Sequence, residues 1–241
     1  MQDNNKSETI FQRTEMLIGG EAIAKLRASR VAVFGVGGVG GYVVEVLARS
    51  GVGSIDIFDN DRVSITNINR QIIALHSTLS RLKVDVARER ILDINPDCIV
   101  TTHPVFYLPE DTHVSDLPNI SGFVDLSVYD YVVDCIDTVT AKIDLARRCY
   151  EMGIASISSM GAANKMDATA FRVTDLFKTS VDPLAKIMRK KLRSMGVDRL
   201  KVVYSEEIPA IKTTIPSSNA FVPAACGIVV GSEVVKDLIS R

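Results

Sequence analysis

RVAVFGVGGVG (30–40) opens as an apolar strand and then breaks into four glycines within six residues, after which VVEVLARS (43–50) resumes at helical spacing. Glycines at such a break allow a tight turn and a close backbone approach, and the first turn of the following helix offers free N–H groups to an anion. A glycine-rich structural turn would look the same over these six residues. The next strand separates the two readings. SIDIFD (54–59) alternates Ile55 and Ile57 and ends on Asp59, 24 residues after Gly35, where an acid can accept from ribose hydroxyls. A purely structural turn leaves Asp59 without a purpose.

The same alternation of strand and helix runs outward from this unit. GEAIAKLRA (20–28) reads as a short amphipathic helix leading into the first strand. VDVARERILDIN (84–95) keeps Val84, Ala87, Ile91 and Ile94 on one helical face and is stopped by Pro96. CIVTTH begins a third strand, and YDYVVDCID (129–137) is a fourth, apolar enough to be buried in a parallel sheet. A helix over 138–151 and a strand over 154–159 follow. Strands alternating with helices imply right-handed crossovers, hence an α/β, Rossmann-like open sheet, mainly parallel and flanked by helices. After residue 160 the rhythm changes to a strand-like AFRVTDL, a helix at 183–195 and a strand at 200–206. A polar loop over 207–219 and an apolar helix after FVPAACGIVVG end the chain. We expect a nucleotide-binding region over 1–160 and a smaller mixed C-terminal portion over 161–241 that serves substrate and dimer contacts within the same domain.

Composition narrows the classes. The 241 residues are 46% hydrophobic and carry a net charge of -1, so a sizeable core is available and no global field recruits nucleic acid or anionic membrane. The polar start MQDNNKSETIFQR lacks the apolar core of a signal peptide, and no apolar run approaches the length of about 18 residues that spans a bilayer. A cytoplasmic protein with no membrane partner is expected. Cys98, Cys135, Cys149 and Cys226 form no C-x-x-C pair and read as small buried hydrophobes. His76, His103 and His113 are too dispersed to suggest a metal site.

DNDRVSITNINRQ (59–71) is more than a hydride-transferring fold requires. Backbone N–H groups suffice for a pyrophosphate, whereas an ATP whose α-phosphorus is to be attacked needs cations around its phosphates. Arg70 and Lys83 supply them, and Asp137, at the end of the fourth strand, suits a magnesium ion. In a doubly wound sheet the carboxyl ends of strands at the switch point face one crevice, so Gly38, Asp59 and Asp137 would converge.

GVGGVG, FDNDRV, TNINRQ, Lys83, INP (94–96) and DCIDT (134–138), in this order and spacing, resemble the MoeB/ThiF/HesA adenylating enzymes of the ubiquitin-activating-enzyme-like superfamily. The resemblance implies ATP and magnesium as cofactors. It assigns nucleotide contacts to Gly35, Gly37, Gly38, Gly40, Asp59, Asp61, Asn67, Asn69, Arg70, Gln71, Lys83, Asp137 and Thr138. Among these Asp59 would meet the ribose, Asn67, Arg70 and Lys83 the phosphates, and Asp137 the metal. Arg13, in FQRTEMLIGGE, matches the arginine that members of the superfamily insert into a partner subunit's ATP site, which implies a homodimer with Arg13 acting in trans. Read without that resemblance, Arg13 is a surface arginine near a frayed end.

SSMGAANKMDATAFRVTDLFKTSVDPLAKIMRKKLR and FVPAACGIVVGSEVVKDL are most similar to the branch that dehydrates threonylcarbamoyladenosine in tRNA. That branch implies a ligase-like, ATP-dependent cyclisation through a carboxyl-adenylate, a tRNA substrate and a possible sulfur-relay protein partner. KIMRKKLRSMGVDRLK (186–201) holds seven Lys/Arg against Asp198 alone, which suits RNA phosphates or, equally, a solvated helix face. Two departures bear on the alternatives. The zinc-binding C-x-x-C pairs usual in MoeB- and ThiF-type enzymes are missing. KTSVDPLA (178–185), where an acyl-accepting cysteine would stand, has none, leaving Cys226 as a poor candidate. An enzyme activating the C-terminus of a ubiquitin-like sulfur carrier is therefore the second reading, and an NAD-dependent oxidoreductase the third.

Overall fold

A computed structural model describes residues 9–109, 124–211 and 216–241, so His113 lies outside the described residues. Seven strands form one sheet in the order β3-β2-β1-β4-β5-β7-β6, all parallel except β6, which runs antiparallel to β7. The strands are β1 (Arg30–Phe34), β2 (Ser54–Phe58), β3 (Ile99–His103), β4 (Tyr131–Asp134), β5 (Ser156–Ser159), β6 (Phe171–Asp175) and β7 (Lys201–Ser205). The order reverses between β1 and β4, and the crevice opens beside that reversal.

Strand periodicity decides which side chain goes to which core. Val31 and Val33 of β1 and Tyr131 and Val133 of β4 pack into one cluster, while Ala32, Phe34 and Val132 pack into another on the opposite face. The first face is covered by α3 (Gly40–Ser50), α4 (Lys83–Ile94) and α7 (Val222–Ser240), whose Val43, Leu47, Val84, Ile91, Val230 and Val234 share that cluster. The second face is covered by α5 (Val139–Met152) and α6 (Pro183–Ser194). Asp56 shows why SIDIF is a strand of this sheet and not merely an apolar run. Its neighbours Ile55 and Ile57 enter the first cluster, and Asp56 turns to the second face, held by Arg30 (2.9 Å), His103 (3.2 Å) and Tyr129 (3.0 Å).

Several boundaries differ from expectation. β4 stops at Asp134, because residues 135–137 leave the ladder to line the crevice. The last helix begins at Val222 with Pro223 in its first turn, so VPAACGIVVG is its first half and does not precede it. Two short helices precede β1, α1 (Gln12–Ile18) and α2 (Gly20–Ala28). The first has no amphipathic pattern to announce it and buries none of its side chains. No helix among the described residues is long and apolar enough to cross a membrane.

Candidate active site

The carboxyl ends of β1, β2 and β4 meet around a cleft of about 480 Å³. Its floor is aromatic. Phe34, Phe58 and Tyr107 line it: the rings of Phe34 and Phe58 stack at 4.2 Å, Tyr107 meets Phe34 edge-on at 5.1 Å, and His103, outside the lining, stacks on Phe58 at 4.1 Å. Motif reading missed these rings, since Phe34 and Phe58 look like ordinary strand residues in sequence and Tyr107 falls in the loop after β3. A larger recess, about 720 Å³, opens at the other end of the sheet beside Asp130, Ser156 and Lys201 and contains none of the expected residues.

The glycine loop has to be glycine for steric reasons. Gly35 sits at φ 84°, and a Cβ there would come within 2.8 Å of the Cys135 carbonyl. A Cβ on Gly40 would stand 1.8 Å from the Gly35 carbonyl oxygen. Gly35, Gly37 and Gly38 line the cleft. Gly40 does not, because it is the first residue of α3 and is buried against Gly35. Its task is to let the helix start that close to the loop.

Asp59 joins loop and second strand. One carboxylate oxygen accepts the Val36 N–H (2.9 Å) and the other the Asp61 N–H (2.9 Å). Burial raises its pKa above the ordinary carboxylate range, more than Lys83 and these two N–H groups lower it. Lys83, the first residue of α4 and 5% exposed, pairs with Asp61 at 2.6 Å and donates its backbone N–H to the Asp61 carbonyl at 2.9 Å. Asp61 is thus the anchor that swings α4's leading lysine into the cleft.

The TNINRQ segment folds as a short 3-10 turn (Ile65–Asn67), in which Asn67 Oδ1 accepts the Ser64 N–H at 3.0 Å. This packing brings Asn67, Arg70 and Gln71 to the cleft wall. Arg70 stacks its stem near Gly38 and donates to the Thr66 carbonyl (2.8 Å) and Asn69 Oδ1 (3.0 Å). Gln71 Oε1 is buried with no hydrogen-bond partner among the described residues, so a polar group in the cleft has an acceptor waiting. Asn69 is not a lining residue, and its amide donates to the carbonyl of Ser218, which is one, at 3.1 Å. Thr138 also lies outside it, as the N-cap residue of α5.

Asp137 is exposed at the cleft and makes no hydrogen bond or ion pair among the described residues. No group of three or more metal-ligating side chains occurs among those residues. One free carboxylate in the cleft has the chemistry to hold a magnesium ion that arrives with a nucleotide, because that ion keeps much of its shell from water and phosphate. Arg13 is exposed on α1 and does not line the cleft of its own chain. Cys135 is a lining residue that motif reading did not foresee, and burial pushes its thiol up to about 12. Cys98 is raised to about 11 and Cys149 to about 12, and fully buried Cys226 is raised as well. None of these thiols supplies a thiolate at neutral pH.

The model of one family, described as "ThiF family", matches residues 11–240. The chain belongs to the ThiF family. This ThiF-family chain is 44% identical over 248 residues to the tRNA threonylcarbamoyladenosine dehydratase of Bacillus subtilis, covering 95% of the chain and 94% of that protein. It superposes with a TM-score of 0.86 on the Escherichia coli tRNA N6-threonylcarbamoyladenosine dehydratase crystallised with ATP, at 35% identity, over 95% of the chain and 93% of that structure. The same E. coli protein has been crystallised with AMP, again with a TM-score of 0.86. The E. coli MccB structure with ATP, at 18% identity and TM-score 0.64, shares the fold alone.

Proposed function

We propose that this chain is an ATP-dependent enzyme that activates the threonylcarbamoyl carboxylate of a tRNA anticodon-loop adenosine and closes it into a ring with net loss of water. The observation that carries the reading is the gathering of Arg70, Lys83 and Asp137 beside Gly37 and Gly38 in one cleft, in a chain so similar to a tRNA threonylcarbamoyladenosine dehydratase.

A carboxylate is a poor electrophile because its leaving group would be oxide. One carboxylate oxygen forms a bond to the α-phosphorus of ATP, the bond to the β-phosphate oxygen breaks, and pyrophosphate departs. The acyl carbon then carries AMP, a good leaving group. A nucleophilic atom of the same side chain attacks that carbon, AMP leaves, a proton is lost and the ring closes. The nucleophile is tethered, so no enzyme thiol is needed. In the first step charge develops on the phosphates, and the residues here act by alignment and neutralisation. Lys83 is fixed by Asp61 and carries its charge into a mostly dry wall. Arg70 is held along Gly38 by Thr66 and Asn69. Asp59 presents a carboxylate to the ribose. Asp137 would hold a magnesium ion, which when bound supplies further neutralisation of phosphate charge.

The active unit in this reading is a homodimer in which Arg13 serves the partner's cleft. Support comes from α1, where Met16 (81% exposed) and Leu17 (84%) leave an apolar strip beside Arg13 that a second copy would cover. The RNA would rest on α6. Its inner face buries Ala185, Met188 and Leu192, and its outer face carries Lys186, Lys190, Lys191 and Arg193, none paired with a carboxylate among the described residues. Such work belongs to the cytoplasm, and a sulfur-relay protein is a further partner consistent with the family.

The test is pyrophosphate exchange into ATP. Threonylcarbamoyl-modified tRNA should stimulate it, and a protein with a Gly-Gly tail should not. Stimulation by the protein alone would move the assignment to sulfur-carrier activation, and reduction of NAD by a small alcohol would move it to an oxidoreductase.

A further inference from the structure

The two turns that follow the neighbouring strands β4 and β5 are held in the same way. After β4, Ile136 donates its N–H to Asp134 Oδ1 (3.1 Å), its carbonyl accepts from Lys142 Nζ (3.1 Å), and Lys142 pairs with Asp134 at 3.0 Å. After β5, Gly161 donates its N–H to Asp182 Oδ2 (3.1 Å), its carbonyl accepts from Lys165 Nζ (2.7 Å), and Lys165 pairs with Asp182 at 3.4 Å. In both turns a buried ammonium and carboxylate grip both backbone polar groups of one residue. The side chains are almost completely buried, Lys142 at 0% exposed and Lys165 at 1%. Ion pairs this deep are poor stabilisers, since desolvation offsets much of the attraction and an apolar pair is often as good. What the charges add is a fixed backbone geometry in two turns that border the cleft.

The two turns belong to different walls. The Lys142 turn carries Cys135 and Asp137 and abuts Gly35, so it forms the wall beside the glycine loop. The Lys165 turn carries Ala162 and Ala163, which line the cleft beside Ser218. Neither lysine lines the cleft itself. Asp182 has a further tie. Its other oxygen accepts the Ala185 N–H at 2.9 Å, capping α6, whose outer face carries the unpaired lysines. One buried carboxylate therefore joins the basic helix to a wall of the cleft.

Resting on the tRNA reading, we propose that Lys165 and Asp182 are positioning residues for the carboxylate substrate, fixing the Ala162–Ala163 wall relative to the helix on which the RNA rests. The Lys142–Asp134 pair positions the nucleotide wall in the same manner. The two clamps thus divide the labour, and damage to one should show in one substrate only.

Lys165→Met and Asp182→Asn test this, with Lys142→Met as the contrast. Calorimetry reads ATP affinity, and steady-state kinetics reads kcat/KM for modified tRNA. Lys165→Met should keep ATP affinity within about threefold while losing about 10²-fold in kcat/KM for tRNA, the scale expected for an ångström of misplacement. Lys142→Met should weaken ATP binding. Should Lys165→Met not fold, Asp182→Asn, which keeps its volume and the acceptor for Ala185, should give the same split. Equal effects of the two lysine variants on ATP affinity would overturn the proposal, as would a lowered Tm with tRNA turnover unchanged. If the wild-type protein binds ATP but leaves modified tRNA unaltered, the functional reading fails, and the ATP contrast between the two variants still decides whether the clamps divide the walls.

Discussion

Replacing Lys83 by methionine separates catalysis from stability. The ammonium lies 2.6 Å from Asp61, but Asp61's side chain is 61% exposed and remains hydrated when its partner is removed. Breaking a pair with one partner so exposed costs at most about 1 kcal/mol. For a domain of this size that corresponds to a fall in Tm of no more than about 4 °C. The catalytic cost is of a different order. Lys83 brings a positive charge into a low-dielectric wall beside the glycine loop, and loss of one such transition-state donor costs about 10²–10³ in rate, or about 2.7–4 kcal/mol. Methionine retains the stem that fills the wall, so ATP should still enter. We therefore expect tRNA-stimulated pyrophosphate exchange to fall by at least about 10² while the melting curve moves by only a few degrees. Exchange within about threefold of wild type would refute the role given to Lys83, and collapse of the melting temperature would show that its charge serves the fold.

Gly40→Ala puts a Cβ 1.8 Å from a backbone oxygen, so loop or helix must move by more than an ångström; ATP binding should be lost with about 1–3 kcal/mol of stability, and normal binding in calorimetry would contradict the steric argument. Burial tends to raise the pKa of Asp56, but hydrogen bonds from His103, Arg30 and Tyr129 outweigh it and the net shift is downward. The folded pKa then lies below the unfolded one, so Asp56 stabilises above about pH 4 and that contribution fades as pH falls through the folded pKa. Urea midpoints should drop on the acid side, and Asp56→Asn should flatten that limb; an unchanged limb would remove Asp56 from the account. Mixing Arg13→Ala with Lys83→Met subunits should restore about a quarter of wild-type turnover after random reassortment, since only mixed dimers contain an intact site and each has one. No recovery would mean that Arg13 acts within its own chain or not at all.

The parts legible in the sequence are those with short-range causes. β1, the glycine loop and α3 follow from apolar runs interrupted where only glycine fits, and Asp59 from its place at a strand end. Arg70 and Lys83 were legible by motif, but not the reason Lys83 points inward, which is Asp61 holding both its backbone and its ammonium. Gly40, Asn69 and Thr138 sit inside the motifs yet outside the cleft, because a motif fixes the neighbourhood of a residue and packing decides which way it faces. Lys142 and Lys165 were invisible for the opposite reason. In sequence each resembles a solvated helix or loop lysine, and only the fold buries them, Lys142 against Asp134 at the end of β4 and Lys165 against Asp182 at the start of α6. The aromatic floor was hidden too, since Phe34 and Phe58, with His103 stacked behind them, come together only through the register of three parallel strands.

Nucleoside mass analysis after incubating the purified protein with ATP, magnesium and threonylcarbamoyl-modified tRNA tests the central claim most directly. The account predicts a modified nucleoside lighter by one water, with AMP and pyrophosphate formed in step with it. Consumption of ATP to ADP, or an unchanged nucleoside in the presence of bound ATP, would contradict it.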